Sequence, residues 1–475
     1  MKTTKKTISF LLISALITAM PFSAYGAEEA QIKTKIKHTV KAVGEYDNWE
    51  GVSNVSQFIG SDGEFWFAYN NKKNITVVST VDGVVTNKIP LERMHDLFGA
   101  VCSDSAGNFY VVTGEENPGN NTDTNTVFIS KYDSAGNHIT TIGDRGNSSL
   151  PDFYEDNFYT KIPFDGGNCD VDVNGDYMAV NYAREMYNGH QSNSIWVINT
   201  VSMNTVDFPD YTYEYYEGGY TRHSNSLYSS HSFGQRTVKY GDGFLYASEG
   251  DCFSRAFTIS QWDLKTNTVS EDDIFHFWLG SGDSCETSHC GNKNYAHMGD
   301  LVVLPDGKAA FAATSAPSMT KPAEEENEQV FLQIFDPNGD LTSPSGYVTT
   351  GERTGFSANM NGDVEITDYG VKWLTEGKRF AYRNPQMVCA GDKLVVLYEK
   401  YAKKKDMFGG IYYKLKGVFY TVLDSSGNVI QESKKFKKSA SLNPCEPPVY
   451  TKGCIYWAAN KSSKKGKLFV YRIKI

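Results

Sequence analysis

The chain has 475 residues, 40% of them hydrophobic and 13% aromatic, with a formal net charge of −10. That is ample for a large globular core, and past residue 20 no apolar run could span a bilayer, which speaks against an integral membrane segment. The negative charge speaks against a nucleic-acid partner, because such a surface must complement phosphate.

In chain order, Lys2, Lys5 and Lys6 precede an apolar stretch from Ile8 to Met20 and then Ala24-Tyr25-Gly26. This pattern predicts a secretory signal peptide over 1–26, leaving a single domain over 27–475 in a secreted, extracellular protein. No cysteine follows the cleavage point to accept lipid. The eight cysteines all lie beyond it, an even number that predicts disulfides in an exported chain, with Cys285 and Cys290 in one loop and Cys445 and Cys454 flanking an inner strand. No CxxC pair points to a metal.

Beyond the signal, short Gly-centred turns recur: SDG at 61–63, DSAGN at 104–108 and 133–137, VNGD at 173–176, YGDG at 240–243, PDG at 305–307, DPNG at 336–339, AGD at 390–392 and DSSGN at 424–428. Aromatic and β-branched runs such as Phe65 to Tyr69, Phe109 to Val112, Phe244 to Ala247 and Leu394 to Tyr398 lie between them. Strand, Asx-Gly turn, strand units recurring at such a spacing predict an all-β fold, a β-propeller counted at seven four-stranded blades, with six or eight left open by the long loop at 340–384. The last unit has three strands of its own. The alternating segment from Ile36 to Val43 is expected to supply the fourth and close the ring.

In such a ring the short turns share one face and the long connections the other. The long ones are read at 114–125, 183–194, 209–235, 277–296, 315–328, 340–384 and 401–416. Long connections are the usual carriers of function. Inner-strand starts then surround the channel mouth with Asn168, Gln235, Arg236, Asp300, Gln386 and Glu446, and strand ends add Asn70, Glu115, Glu249, Glu399 and Asn460.

The loop from Phe208 to Arg236 interleaves Tyr211, Tyr213 and Tyr220 with His223 and further polar residues. Amphipathic rings beside directional hydrogen-bonders suit sugar faces, and the other reading is an aromatic cluster that packs the loop down. HSFGQR at 231–236 and ASEGDCFSRAF at 247–257 are brought to one end by antiparallel pairing, so His231, Gln235, Arg236, Glu249, Asp251 and Arg255 can converge there. Histidine exchanges a proton, carboxylates act as acid or base, and arginine neutralises a substrate acid group. The other reading is a structural cluster with Asp251 bridging Arg255. His297, one blade on, is expected to face His231. CDVDVNGD at 169–176 begins like a calcium loop, yet its strand alternation favours a hairpin.

On HSFGQR and GDGFLYASEGDCFSRAF the chain resembles the secreted bacterial β-propeller superfamily. It is not similar to WD repeats, since Trp262-Asp263 stands alone, nor to Kelch repeats, and the sialidase box is missing. Several polysaccharide lyase families are propellers, so the resemblance permits a lyase without establishing one.

These features predict binding or processing of a glycan through the long-loop face. One site reading is catalytic, a lyase or glycoside hydrolase using His231, Arg236, Glu249, Asp251 and Arg255. The ligand contacts are then Tyr211, Tyr213, Tyr220, His223, Gln235, His297, Asn168 and Gln386. A polypeptide partner is the third reading. From Ala390 onward Lys and Arg outnumber Asp and Glu by 18 to 6, which favours an anionic polymer as the extracellular glycan partner. The expectation is a monomer with no cofactor and no metal.

Overall fold

The computed structural model describes residues 28–37, 52–71, 74–146, 159–186, 189–209, 213–215, 221–223, 227–253, 256–277, 292, 294–317, 326–339, 348–350, 365–368, 371–406, 410–437, 439–444, 446–461 and 464–475. Among these, the strands group into seven four-stranded blades, the third and fourth joined into one sheet at Ser192↔Ser230 and the seventh completed by the N-terminal strand. Their innermost strands are Val55–Ile59, Leu97–Ser103, Cys169–Asn174, Ser230–Tyr240, His297–Val303, Phe380–Ala390 and Val449–Thr451. Each touches the next and the last touches the first, so the strands form a ring around a central channel. A β-propeller is the fold that such a ring defines.

The turns fold as their sequences require. In DSAGN at 104–108, Asp104 Oδ1 accepts the amides of Ala106 and Asn108 at 3.0 and 2.9 Å, and Oδ2 accepts Asn108 Nδ2 at 2.8 Å. Asp133 and Asp424 repeat the same bonds in their own turns. Gly107 takes the left-handed φ of 83° that the turn needs. Burial then follows blade order: Phe65 and Phe67 of blade one pack with Tyr456 and Val470 of blade seven, and Phe257 of blade four packs with Phe311 of blade five.

Closure comes from the N-terminal side, with a correction. The strand that completes blade seven is Glu28–Lys37, paired antiparallel from Glu28↔Lys474 to Lys37↔Lys467. It shares only Ile36 and Lys37 with the expected segment, whose remainder lies outside the described residues. The alternation that identifies a strand begins earlier, in EEAQIKTKIK.

Three of the long connections also differ from expectation. The outer strand of blade five is Lys372–Trp373, so residues 336–371 link its third and fourth strands and are not a connection leading into blade six. Trp373 is held there by an edge-on stack on Phe331, with centroids 5.5 Å apart. Residues 183–194 and 401–416 are largely regular, because their strands continue as Tyr177–Met186 with Gln191–Asn199, and Lys393–Lys405 with Ile411–Asp424. Cys102, Cys169, Cys389 and Cys454 are free thiols, and no disulfide occurs among the described residues; Cys285, Cys290 and Cys445 lie outside them. No helix among the described residues is long and apolar enough to cross a membrane.

Candidate functional site

The polar residues at the inner-strand starts bond across the seams between blades. Asn168 Oδ1 accepts the Gln235 amide at 2.6 Å, Asn168 Nδ2 donates to Gln235 O at 2.8 Å, and Gln235 Oε1 accepts the Asn168 amide at 3.1 Å. The calcium-like run is one side of a zipper to blade four. Asp170 and Asp172 accept the amides of Thr237 and Lys239 at 2.6 and 2.8 Å, and Asn174 donates to the carbonyls of Gly241 and Gly243. Asp300 Oδ2 accepts the Met387 amide at 2.7 Å, and Glu446 accepts that of Gln57. Strand alternation points residues 170, 172 and 174 the same way, toward the neighbouring strand.

The buried cation of this ring is Arg236, whose Nε lies 3.4 Å from Asp300 Oδ1 and whose Nη1 donates to Gln235 O at 2.9 Å. Burial pushes Asp170 up to about 7 and Asp300 up to about 6, against the opposing pull of Arg236. Burial also drives Glu446 well above the usual carboxylate range. No group of three metal-ligating side chains forms among the described residues.

Above this ring, on the long-loop face, a cavity of about 410 Å³ opens across blades four to six. Its walls include Arg236, Tyr295, His297, Glu328, Arg383 and Gln386. Two backbone devices shape it. A Cβ on Gly299 would lie 2.4 Å from Pro385, so glycine lets the start of blade six close in. Asn384 adopts a left-handed φ of 52° and donates to Glu399 Oε2 at 3.0 Å, which also accepts the Tyr401 hydroxyl. That turn sets Arg383 on the wall, where its Nη2 donates to Glu328 Oε1 at 2.6 Å and its guanidinium stacks 4.3 Å from the Tyr413 ring centroid.

Two buried polar atoms beside the cavity lack a hydrogen bond among the described residues. Gln386 is 1% exposed and its Nε2 donates to Asn443 O, while its Oε1 is a buried acceptor with no hydrogen-bond partner among the described residues. Arg383 Nε is likewise a donor with no hydrogen-bond partner there. Around the cavity stand two guanidiniums, each already beside a carboxylate (Arg236 with Asp300, Arg383 with Glu328), together with the His297 imidazole and the Gln386 amide. Such a set fits a ligand bearing both an acid group and hydroxyls.

A second cluster sits at the junction of blades three and four. Ser230 Oγ lies 2.8 Å from His190 Nε2 and 3.0 Å from His231 Nδ1, and Tyr228 Oη lies 3.2 Å from His190 Nε2. The two imidazoles meet edge to face with centroids 4.7 Å apart. Burial, the charge of His231 and that of Arg184 push His190 down to about 4, so its ring is neutral at physiological pH. His231 holds a left-handed φ of 51°, which is uncommon outside glycine.

The expected residues therefore divide. Arg236, His297 and Gln386 meet in the cavity, and His231 belongs to the histidine pair. Asn168 and Gln235 bond to each other between blades. Glu249 Oε2 accepts the Met298 amide at 3.0 Å with Oε1 3.9 Å from His297 Nδ1, and Asp251 accepts the Asn292 amide at 3.3 Å. His297 thus faces Glu249. Tyr213 and His223 are paired residues of a small hairpin, Tyr213–Tyr215 with Thr221–His223. Tyr211, Tyr220 and Arg255 lie outside the described residues. Sequence reasoning did not single out Arg383, Tyr295, Glu328, His190 or Tyr228 as site residues. The signal for Arg383 was its place at the start of an inner strand beside Asn384-Pro385, where a left-handed residue breaks the ladder.

A blade ring with a polar cavity on one mouth places the protein among β-propellers with a candidate ligand site on the long-loop face. No protein-family model matches the chain, and no curated protein matches it. Solved structures to which it is similar include an ulvan lyase of polysaccharide lyase family 25, 8% identical, with 94% of this chain and 96% of that one covered and a TM-score of 0.46. Others are a Cellvibrio cellulosa α-L-arabinanase, 10% identical over 70% and 93% of the chains with a TM-score of 0.32, and a Trypanosoma rangeli sialidase, 12% identical over 82% and 59% with a TM-score of 0.38. At these identities and scores no activity passes from those proteins to this chain.

Proposed function

We propose that this chain is exported by the segment 1–26 as a single propeller domain and binds an acidic glycan in the cavity between blades four and six. The observation that carries this reading is the pairing of Arg383 and Arg236 with His297 around one opening of about 410 Å³. A uronate would set its carboxylate against the guanidinium of Arg383, the more exposed of the two, and its hydroxyls on the polar wall around it.

β-Elimination is the reaction this set supports. Neutralising the carboxylate acidifies the C5 proton, His297 takes it, the C4–O4 bond breaks, and the leaving oxygen gains a proton from the Tyr295 hydroxyl. A hydrolase using Glu249 and Asp251 is less well supported, because both carboxylates already accept backbone amides from the approach to blade five. A polypeptide partner on the same face is the reading to which failure of glycan binding would return.

The test is calorimetric binding of residues 27–475 to polygalacturonate, alginate and neutral dextran, with ultraviolet absorbance followed for unsaturated ends. Binding of an acid polymer and not dextran, reduced at least about tenfold by Arg383→Ala, is the expected result. Rising absorbance that disappears in His297→Ala assigns the lyase; binding without it leaves a lectin-like module. Equal affinity for dextran would falsify the anionic reading.

A further inference from the structure

Among the described residues, blade six carries an arm that is not seen on the other blades. Its strands Lys393–Lys405 and Ile411–Asp424 continue beyond the blade as a two-stranded arm, registered Lys403↔Tyr413, Lys404↔Tyr412 and Lys405↔Ile411. The flanking strands stop short of it: the inner strand pairs no farther than Phe380↔Ala402, and the outer one begins at Phe419↔Lys435. Residues 400–417 hold six lysines against the single Asp406, in a chain whose overall charge is −10.

Paired residues share a face of the arm. Tyr401, Lys403, Lys405, Ile411 and Tyr413 therefore lie on one side, and Lys404, Tyr412 and Lys414 on the other. The sides differ in what they adjoin. Arg383, on the cavity wall, has its guanidinium 4.3 Å from the Tyr413 centroid and 5.7 Å from that of Tyr401. The face bearing Lys403 and Lys405 thus continues outward from the cavity, with successive side chains about 7 Å apart. Ile411 at its tip is 53% exposed.

We propose that this face of the arm holds the units of an acidic polysaccharide that follow the two held at the cavity. Lys403 and Lys405 meet their carboxylates, and Tyr413 and Ile411 support their rings. The inference rests on the anionic-glycan reading above. It adds that the ligand is a polymer running outward along blade six. The chain before Ala390 is net acidic, so such a polymer is drawn toward blade six and away from blades one to five.

The experiment compares polygalacturonate with digalacturonate on the wild type, on Lys403→Ser/Lys405→Ser and on the opposite-face control Lys404→Ser/Lys414→Ser, at low and high salt. The expected result is at least a tenfold loss of polymer affinity and a shallower salt dependence for the first variant only, with digalacturonate binding unchanged in all three. Polymer affinity retained by the first variant, or lost equally in the control, overturns the arm and leaves the cavity reading standing. Loss of digalacturonate binding in the first variant also overturns it, since the lysines would then act within the cavity. A wild type that binds neither probe overturns the arm together with the reading beneath it.

Discussion

Arg236 and Asp300 meet across the seam between blades four and five, Nε to Oδ1 at 3.4 Å, with 3% and 1% of their side chains exposed. The same guanidinium draws on Asp170 and Glu446, so one cation serves three buried carboxyl groups contributed by blades three, five and seven. It also forms part of the cavity wall, which makes the stability of the ring and the charge of the site one problem.

Removing that cation leaves buried acids without a counter-charge. Arg236→Met is expected to cost about 3–5 kcal/mol at pH 8, read from urea denaturation. The cost should shrink at pH 5, where the carboxyls take up protons. A loss independent of pH would mean that packing of the arginine stem, and not its charge, holds the seam.

The wild type should itself lose stability as pH rises. Asp170 and Asp300 are raised to about 7 and about 6 in the folded protein. The native state therefore holds protons that the unfolded chain, with aspartate near about 3.9, has released. Their stabilising contribution is complete below the unfolded value and disappears as pH climbs through 6 to 7. The turn residues Asp104, Asp133 and Asp424 are lowered by their hydrogen bonds, so their contribution is lost only in acid and leaves this window untouched. Thermal melts should fall by roughly 5 °C or more between pH 5 and pH 8, with a flatter profile in Asp170→Asn. Parallel profiles for the two proteins would remove Asp170 from the account.

The closing strand gives a separate test of the ring. Deleting residues 27–37 exposes the edge of Lys464–Lys474, which now pairs with Glu28–Lys37 from Lys467 to Lys474. The truncated protein should melt lower and aggregate at its open edge, and a peptide of sequence EEAQIKTKIK added in trans should restore part of the loss. An unchanged melting curve would show that the blade seams hold without closure.

Much of the ring was legible because its signals are local. A turn such as DSAGN closes through Asp104 and Asn108, four residues apart, and needs nothing from the rest of the chain. The inner-strand series Asn168, Gln235, Asp300, Gln386 and Glu446 was legible as a set of equivalent positions, since each follows the same kind of strand start. What those side chains do was not legible. Asn168 bonds to Gln235, 67 residues away, and the choice between binding a ligand and binding the next blade depends on which strand lies alongside. Lys372–Trp373 escaped notice for a related reason, because a two-residue strand has no periodicity and is held by Trp373 against Phe331.

By itself, then, the amino-acid sequence determined the all-β class, the turns and the alternation that stacks blade upon blade, because each rests on hydrogen bonds and side-chain periodicity within a few residues. Only the tertiary structure decided the site. Arg383 takes its place on the cavity wall when Glu328, 55 residues distant, and Tyr413 fix its guanidinium beside Arg236 and His297, which come from two other blades. Long-range electrostatics and cavity shape depend on that assembly, and no window of sequence contains it.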